Sequence, residues 1–347
     1  MANFLEPDPL LRWQDVLRDR TIWHESLPQS EENKECTNTE PFTFVIGADT
    51  QLGISTQSRN WDVEMMYSER AVQYINALSP KPAFVSMCGD LVDMEPTLYM
   101  GPNRGLEECM ATQEVQFADF KRIWGALDPS IPLLCVCGNH EVGNRPSAEA
   151  IDNFKSKFGD DYFSFWCKGC LCLCLNTNLY NDSSLAPLLL AEQHEWLKLQ
   201  FHTHCSGQSR PPPRKVFLFG HHPWFLFSET ETHENLTGKN VCPSGMADDY
   251  IPDSYFPIGL QARTPVLDLC RQYKVDACFA GHYHQNLVSR TSWGMPMVTT
   301  AGICNWAIQS SEKDMSQACN QTPGSGVRLV TVDDSLEGGF KHCYECV

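Results

Sequence analysis

The chain has 347 residues, with 43 acidic and 26 basic side chains and a formal net charge of −17 at neutral pH. Such an acidic surface disfavours nonspecific binding to nucleic acid or anionic lipid, and an anionic phosphate substrate would need a strong local positive centre of the kind metal ions supply. The length suffices for a sizeable core and is short for two large domains.

Residues 1–40 are polar and lack a sustained hydrophobic period, so they read as an extension lying on the surface. Met1–Arg20 mixes Glu6, Asp8, Arg12, Asp15 and Arg18 with single apolar residues and has no core of signal-peptide type. Leu185–Ala191 is among the longest apolar runs, far below a membrane span, and the expectation is a cytoplasmic protein with no membrane and no nucleic-acid partner.

After Pro41, Phe42–Gly47 reads as a strand that ends in Ala48-Asp49, with Thr50-Gln51 in the turn. Glu64–Leu78 suits a helix, stopped by Ser79-Pro80. Phe84–Cys88 is a buried strand that halts at Gly89-Asp90, with Asp93 three residues on. Residues 94–115 show no period and read as a loop rimming a site, followed by a helix over Gln116–Leu127. Ile131–Cys137 is a third strand, ending in Gly138-Asn139-His140-Glu141.

A short helix near Ala148–Phe158 precedes Tyr162–Trp166 and Leu171–Leu175, the second of which ends at Asn176. Glu192–His202 reads as a helix, and Val216–Phe219 as a strand leading into Gly220-His221-His222-Pro223. The polar stretch Ser228–Phe256 is a long insertion of lid type. A helix over Val266–Tyr273 and a strand over Ala277–Ala280 lead to Gly281-His282-Tyr283-His284, and three β-like segments close the chain. Strands alternating with helices, then a β-rich end, predict two sheets packed as a sandwich with helices outside.

Seventeen cysteines without a secretory signal read as reduced thiols, many buried as small hydrophobes. Cys167/Cys170 and Cys343/Cys346 have zinc-site spacing. The first pair, however, brackets Lys168-Gly169 between two strand-like runs, the pattern of a two-residue hairpin.

Five apolar runs end in ligand-type residues: Asp49-x-Gln51, Gly89-Asp90-x-x-Asp93, Gly138-Asn139-His140-Glu141, His221-x-Pro223 and Gly281-His282-x-His284. Each alone is weak; five in order at strand ends are specific. Their order resembles that of the calcineurin-like metallophosphoesterases. Pro80-Lys81-Pro82, Gly143-Asn144, Gly159–Trp166 and His282-Tyr283-His284 further resemble the calcineurin-like phosphoesterase domain-containing protein 1 group, also described as complete serine/threonine protein phosphatase. The resemblance covers residues 41–335, leaving the extension at 1–40 and a terminal strand or tail at 336–347.

The resemblance implies an α/β fold, a four-layer α/β/β/α sandwich of two mixed sheets flanked by helices, around a site for two divalent ions. Asp90 would bridge both ions, Asp49, Gln51 and His284 would complete one, and Asn139, His221 and His282 the other. The site would hold Mn²⁺, Fe²⁺, Mg²⁺ or Zn²⁺; the usual histidine two residues after the first aspartate is Gln51 here, and an uncharged amide oxygen favours Mn²⁺ or Mg²⁺ over Zn²⁺. It also implies a hydrolase in which water activated between the ions attacks phosphorus, with His140 as general acid and Asp93 orienting it, unless Asp93 only caps a helix. Asn144 and Tyr283 would contact substrate.

Three substrate readings follow: a phosphomonoesterase acting on phosphoserine or phosphothreonine in proteins; a manganese-dependent nucleoside-diphosphate hydrolase of ADP-ribose type or phosphodiesterase; and a metal-binding scaffold without catalysis. Base stacking in the second would fall to Trp61, Trp224 or Tyr283.

Overall fold

A computed structural model of the chain describes residues 17–18, 20–22, 40–207, 212–241, 250–304 and 325–347. In chain order its strands are β1 (Leu17–Arg18), β2 (Thr21–Ile22), β3 (Phe42–Gly47), β4 (Val85–Cys88), β5 (Leu133–Val136), β6 (Phe163–Cys167), β7 (Cys170–Cys174), β8 (Val216–Phe219), β9 (Lys239–Val241), β10 (Tyr250–Pro252), β11 (Ala277–Ala280), β12 (Leu287–Arg290), β13 (Pro296–Thr299), β14 (Gly326–Val332) and β15 (Phe340–Cys346). The helices are α1 (Asp62–Ala77), α2 (Pro96–Tyr99), α3 (Leu106–Trp124), α4 (Asn139–Val142), α5 (Ala148–Phe158), α6 (Thr177–Asn181), α7 (Pro187–Cys205) and α8 (Leu260–Gln272).

One sheet runs β15-β14-β3-β4-β5 and the other β1-β2-β6-β7-β8-β11-β13-β12, with β9 and β10 forming a separate hairpin. Pairing is parallel within β3-β4-β5 and within β7-β8-β11-β13, and antiparallel at β14-β15, β3-β14, β6-β7 and β12-β13. Both sheets are therefore mixed.

Period-two patterning shares the strands among three apolar layers. On β3, Phe44 and Ile46 enter the layer between the sheets, while Val45 joins the layer under the helices α1, α3 and α5. On β7, Cys170, Cys172 and Cys174 face between the sheets, and Leu171 and Leu173 face the side covered by α7 and α8. Three apolar layers between four structural ones give the α/β/β/α sandwich.

The middle layer is large against small. Phe44 stacks on Phe84 at 4.6 Å between ring centroids and meets Phe217, Phe219 and Phe279 at 5.6–6.1 Å. The thiols of β7 fill the space opposite. Burial pushes the Cys172 and Cys174 thiols well above their ordinary pKa, so they pack as apolar groups, not as nucleophiles. Lys168 (φ 45°) and Gly169 (φ 78°) are both left-handed, as a two-residue hairpin of type I′ requires. Cys167 and Cys170 pair across that hairpin, Cys343 and Cys346 lie on β15, and among the described residues no cysteine belongs to a metal-type cluster.

Several boundaries differ from the sequence reading. Helix α3 begins at Leu106, inside the stretch 94–115 read as a loop. Its inward face there carries Cys109, Gln113 and Gln116, while Leu106, Met110 and Val115 are exposed, so the apolar period points the wrong way. The glutamines are buried because Gln116 Oε1 accepts from Met94 N (2.9 Å) and Gln113 Nε2 donates to Met94 O (2.7 Å). Helix α8 starts at Leu260 and accommodates Pro265, α7 starts at Pro187, and β12, α2 and α6 were not foreseen. Within residues 1–40, β2 pairs with β6, and Arg20 lies near Asp160 and Asp161 and over the Tyr162 ring. The rest of that stretch is outside the described residues. At the other end β15 pairs along the whole of β14. Among the described residues no helix is long and apolar enough to cross a membrane.

The apolar reading of the middle layer has a direct consequence. Cys172→Ala leaves a small cavity and should cost about 1 kcal/mol, whereas Cys172→Ser buries a hydroxyl among phenylalanines and should cost about 1–3 kcal/mol more. Urea unfolding of both variants measures the difference; equal costs would reject this reading.

Candidate metal centre

β3, β4 and β5 of one sheet and β8 and β11 of the other all end at one edge of the sandwich. Each is followed by a turn carrying one of the sequence motifs. The turns lock to each other through the backbone: Asp49 N donates to Gly89 O (3.0 Å), Gln51 N to Asp90 O (2.9 Å) and Gly281 N to His221 O (3.1 Å). Asp49, Gln51, Asp90, His282 and His284 are all left-handed, with φ between 38° and 64°. Such conformations are uncommon outside glycine and gather at functional sites. They turn five side chains toward one point. Glycine precedes the ligand-type residues because the strand ends nearly touch: a Cβ on Gly138 would sit 2.1 Å from Asp90 Oδ1, and one on Gly281 2.5 Å from Asp49 Oδ2.

Donor atoms of Asp90, His221 and His282 lie within 4.8 Å of one another, and so do those of Asp49, Asp90 and His284. Asp90 is common to both groups. In the first, His221 Nε2 is 3.2 Å from Asp90 Oδ2, 3.0 Å from Asn139 Oδ1 and 3.1 Å from His282 Nδ1. In the second, His284 Nε2 is 3.3 Å from Asp49 Oδ1. All these side chains are buried, and Gln51 Oε1 and His282 Nε2 have no hydrogen-bond partner. Buried acceptors crowded together and left unpaired are costly in a protein alone. They fit a pair of divalent cations, for which carboxylate, imidazole and amide oxygen are suitable ligands.

The charges respond to this crowding. Burial raises the Asp90 carboxyl pKa, but the facing His221 and His140 outweigh it and hold Asp90 below the usual range. Burial lowers His221, yet Asp90 and Asp49 push it up to about 9. Burial and the neighbouring imidazoles drive His282 and His222 well below the ordinary value. His222 packs its ring 4.2 Å from that of His282, while both of its ring nitrogens lie outside the donor groups and lack hydrogen-bond partners.

His140 stands at the edge of the cluster. Its backbone N–H donates to Asp90 Oδ1 (2.9 Å), Nδ1 lies 2.5 Å from Asp93 O and 3.6 Å from Asp93 Oδ1, and Nε2 is 4.0 Å from Asp90 Oδ2. Burial opposes its charge, but Asp90 and Asp93 raise its pKa overall. Asp93 is itself buried and held by Ser58 Oγ (2.6 Å) and Tyr99 OH (2.8 Å). The helix cap in this turn is Glu95, whose carboxylate accepts from Leu98 N, so Asp93 is not a capping residue.

At the rim Asn144 is exposed, and its Oδ1 accepts from Tyr255 OH (3.2 Å); the Tyr255 ring lies 5.2 Å from that of His282. Tyr283 is buried against Phe256 and donates to Asp253 Oδ1 (3.2 Å), so it anchors the insertion beside the site. Trp224 is buried against Tyr180, and Trp61 donates its indole N–H to Asp119 (2.9 Å). Tyr255 had no signal in the sequence, because nothing in a polar insertion marks the residue that folds back.

Glu141 follows His140 in its motif. Its Oε2 accepts from Asp90 N (3.0 Å) and Gly138 N (2.7 Å), and its Oε1 from Leu91 N (2.8 Å) and Val92 N (3.1 Å). One carboxylate thus clamps two ligand-bearing turns. Burial and then the charge of Asp90 push its pKa up to about 7, against those four donors. A glutamate at the third position of a short helix that starts at glycine reads equally as ordinary capping, which hides the clamp.

The calcineurin-like phosphoesterase family matches residues 43–286. The serine/threonine-protein phosphatase CPPED1 of Danio rerio is 34% identical over 282 residues, covering 79% of this chain and 79% of that protein. In structure the chain is similar to GAP50, the anchor in the inner membrane complex of Plasmodium (TM-score 0.53, 12% identity, 88% of this chain and 84% of that one). It is also similar to the purple acid phosphatase PPD1 from yellow lupin seeds (TM-score 0.52, 13% identity, 86% of this chain and 50% of that one). At those identities the two structural likenesses concern the fold alone.

Removing the clamp should loosen both turns. Glu141→Ala strands four buried N–H groups and should destabilise the protein by on the order of 3 kcal/mol or more, and weaken Mn²⁺ binding about 10–100-fold. Denaturant unfolding and metal titration measure the two effects. Wild-type stability and wild-type metal affinity together would show that the turns hold without it.

Proposed function

The chain belongs to the calcineurin-like phosphoesterase family and is a metal-dependent hydrolase with a dinuclear centre; from that premise we propose that it removes phosphate from phosphoserine and phosphothreonine in proteins. The observation that carries the reading is Asp90, a single buried carboxylate common to two donor groups at a strand edge. In this proposal Asp90 bridges two ions, Asp49, Gln51 and His284 complete one, and Asn139, His221 and His282 the other. The phosphoesterase domain spans residues 41–335, with the β1-β2 pair and β15 completing its sheet edges.

When bound, two divalent ions supply an activated water near neutral pH and neutralise charge on the phosphoryl oxygens. The chain's own residues do the rest. Asp49 and Asp90 set the charge of the site, and Gln51 adds a neutral oxygen, which favours Mn²⁺ or Mg²⁺. His140, at the edge of the cluster with its side chain 13% exposed, donates a proton from Nε2 to the leaving serine or threonine oxygen. Asp93 acts through it: the Asp93 carbonyl oxygen and carboxylate on the Nδ1 side keep the imidazole charged and turn Nε2 toward the substrate. Asn144 and Tyr255 at the rim are placed to contact the peptide that carries the phosphate.

The protein substrate class is supported by the similarity to a serine/threonine phosphatase. The diphosphatase reading loses support, because Trp224 and Tyr283, two of the rings named for stacking a base, are buried, and the third, Trp61, is tied to Asp119.

Phosphate release from a phosphoserine peptide with added Mn²⁺ tests this. The wild type should turn over, metal chelation should abolish the activity, and His140→Ala should lower kcat by roughly 10²–10⁴-fold with metal content unchanged. Hydrolysis of ADP-ribose but not of the peptide, read with a coupled phosphatase, would overturn the substrate class and keep the metal chemistry.

A further inference from the structure

The edge of the sandwich opposite the metal centre holds a cleft of about 870 Å³. Val275 and Asp276 precede β11, and Pro296 begins β13, so the cleft sits where these parallel strands start, while the histidines follow the point where β11 ends. Its apolar wall is Val275, Val288, Met295, Pro296, Trp293 and Phe340.

Four exposed cations surround that wall. Arg271 comes from the last turn of α8 and Lys274 from just beyond it, Arg290 from the end of β12, and Lys341 from β15 of the other sheet. Among the described residues none of the four forms an ion pair with a carboxylate, although Asp333 lies close enough to sense the charge of Lys341. Arg271 lies 5.5 Å over the Trp293 ring, and Arg290 donates to the carbonyl of Gly294 (3.0 Å). Of the two acidic residues in the lining, Asp276 is engaged by Lys215 Nζ (2.8 Å) and Val216 N (2.8 Å), leaving Glu337.

Helix-dipole complementation accounts for a cation at the end of α8. It does not account for Arg290 and Lys341, which arrive from strands of two different sheets. Gathering four cations, none in an ion pair among the described residues, in a chain of net charge −17 runs against their mutual repulsion and leaves a local field suited to an anion. Guanidinium and ammonium groups of this kind bind phosphoryl oxygens, and the volume is that of a small-molecule site.

We propose that this cleft is a second, non-catalytic site for a small organic polyphosphate, with two or more phosphoryl groups on a flat apolar body as in a nucleoside triphosphate. The phosphates lie among Lys274, Arg290 and Lys341, and the apolar body rests on the Trp293 and Phe340 side. Among the described residues no group of metal-ligand donors lies there, so in this proposal the ligand is held and not hydrolysed. The inference stands apart from the reading of the metal centre.

The test is calorimetric titration of the full, Mn²⁺-loaded chain with a β,γ-methylene analogue of ATP, beside inorganic tripolyphosphate. The double variant Lys274→Glu/Lys341→Glu should weaken binding of the analogue about tenfold or more, leaving turnover at the metal centre unchanged. Asp90→Asn should leave it intact, and the analogue should bind more tightly than tripolyphosphate. Binding that survives the double variant and is lost in Asp90→Asn places the ligand at the metal centre and overturns the proposal. So does the absence of saturable binding, and equal affinity for tripolyphosphate would remove the nucleotide-like body from it.

Discussion

The layer of phenylalanines and cysteines between the sheets fixes how far apart the two rows of strand ends stand, and the candidate site draws on both rows. Asp49, Gln51, Asp90 and Asn139 follow strands of one sheet, His221, His282 and His284 strands of the other. Sheets packed face to face are about 10 Å apart, so short carboxylates on one side and longer imidazoles on the other meet near the middle. Hydrogen bonds across the gap hold that spacing at the edge. Asp49 accepts the His282 N–H at 3.0 and 3.1 Å, and His221 Nδ1 lies 2.8 Å from Cys88 O. Changing the volume of one middle-layer residue would therefore reach the candidate metal ligands without touching them.

Convergence has a local cost that the surroundings offset. Five ligand-type residues hold left-handed backbone, each on the order of 1 kcal/mol or more above an ordinary strand or helix conformation. Asp and His tolerate this region better than most residues do, which is one reason they suit such turns. The rest comes from backbone bonds between turns and from Glu141, whose single carboxylate serves four N–H groups. The bonds thus run from strand end to strand end.

Strand ends were legible because the signal is doubled there: a buried strand is an apolar run, and the residue that stops it is polar for a reason. Asp49, Asp90, Asn139, His221 and His282 stand at such ends and the structure brings them together, and the hairpin at Lys168-Gly169 shows through its turn residues. What failed to show was geometry that inverts the usual pattern. Helix α3 hides its first half by burying Gln113 and Gln116 and exposing Met110 and Val115. Tyr283 sits in a recognised motif, so sequence drew it toward substrate, yet its ring serves the packing of the insertion. The basic cleft was invisible because its four cations lie between positions 271 and 341 and meet only through the crossing of two sheets.

Charge gives the proposed ligand set a preference among phosphate esters. Its carboxylates are Asp49 and Asp90; the other ligands are neutral, Gln51 included. Two divalent cations against two carboxylates leave a local charge of about +2, which matches a phosphomonoester dianion above its second pKa of about 6. A diester presents a single negative charge and would leave half of that field unanswered. His140, with its pKa raised by Asp90 and Asp93, adds a further positive group on the side where a leaving alkoxide would develop charge. In the proposed ligand set the same two aspartates that hold the ions would leave enough positive field for the most highly charged ester, and Gln51, neutral like the histidine that usually stands there, keeps that balance.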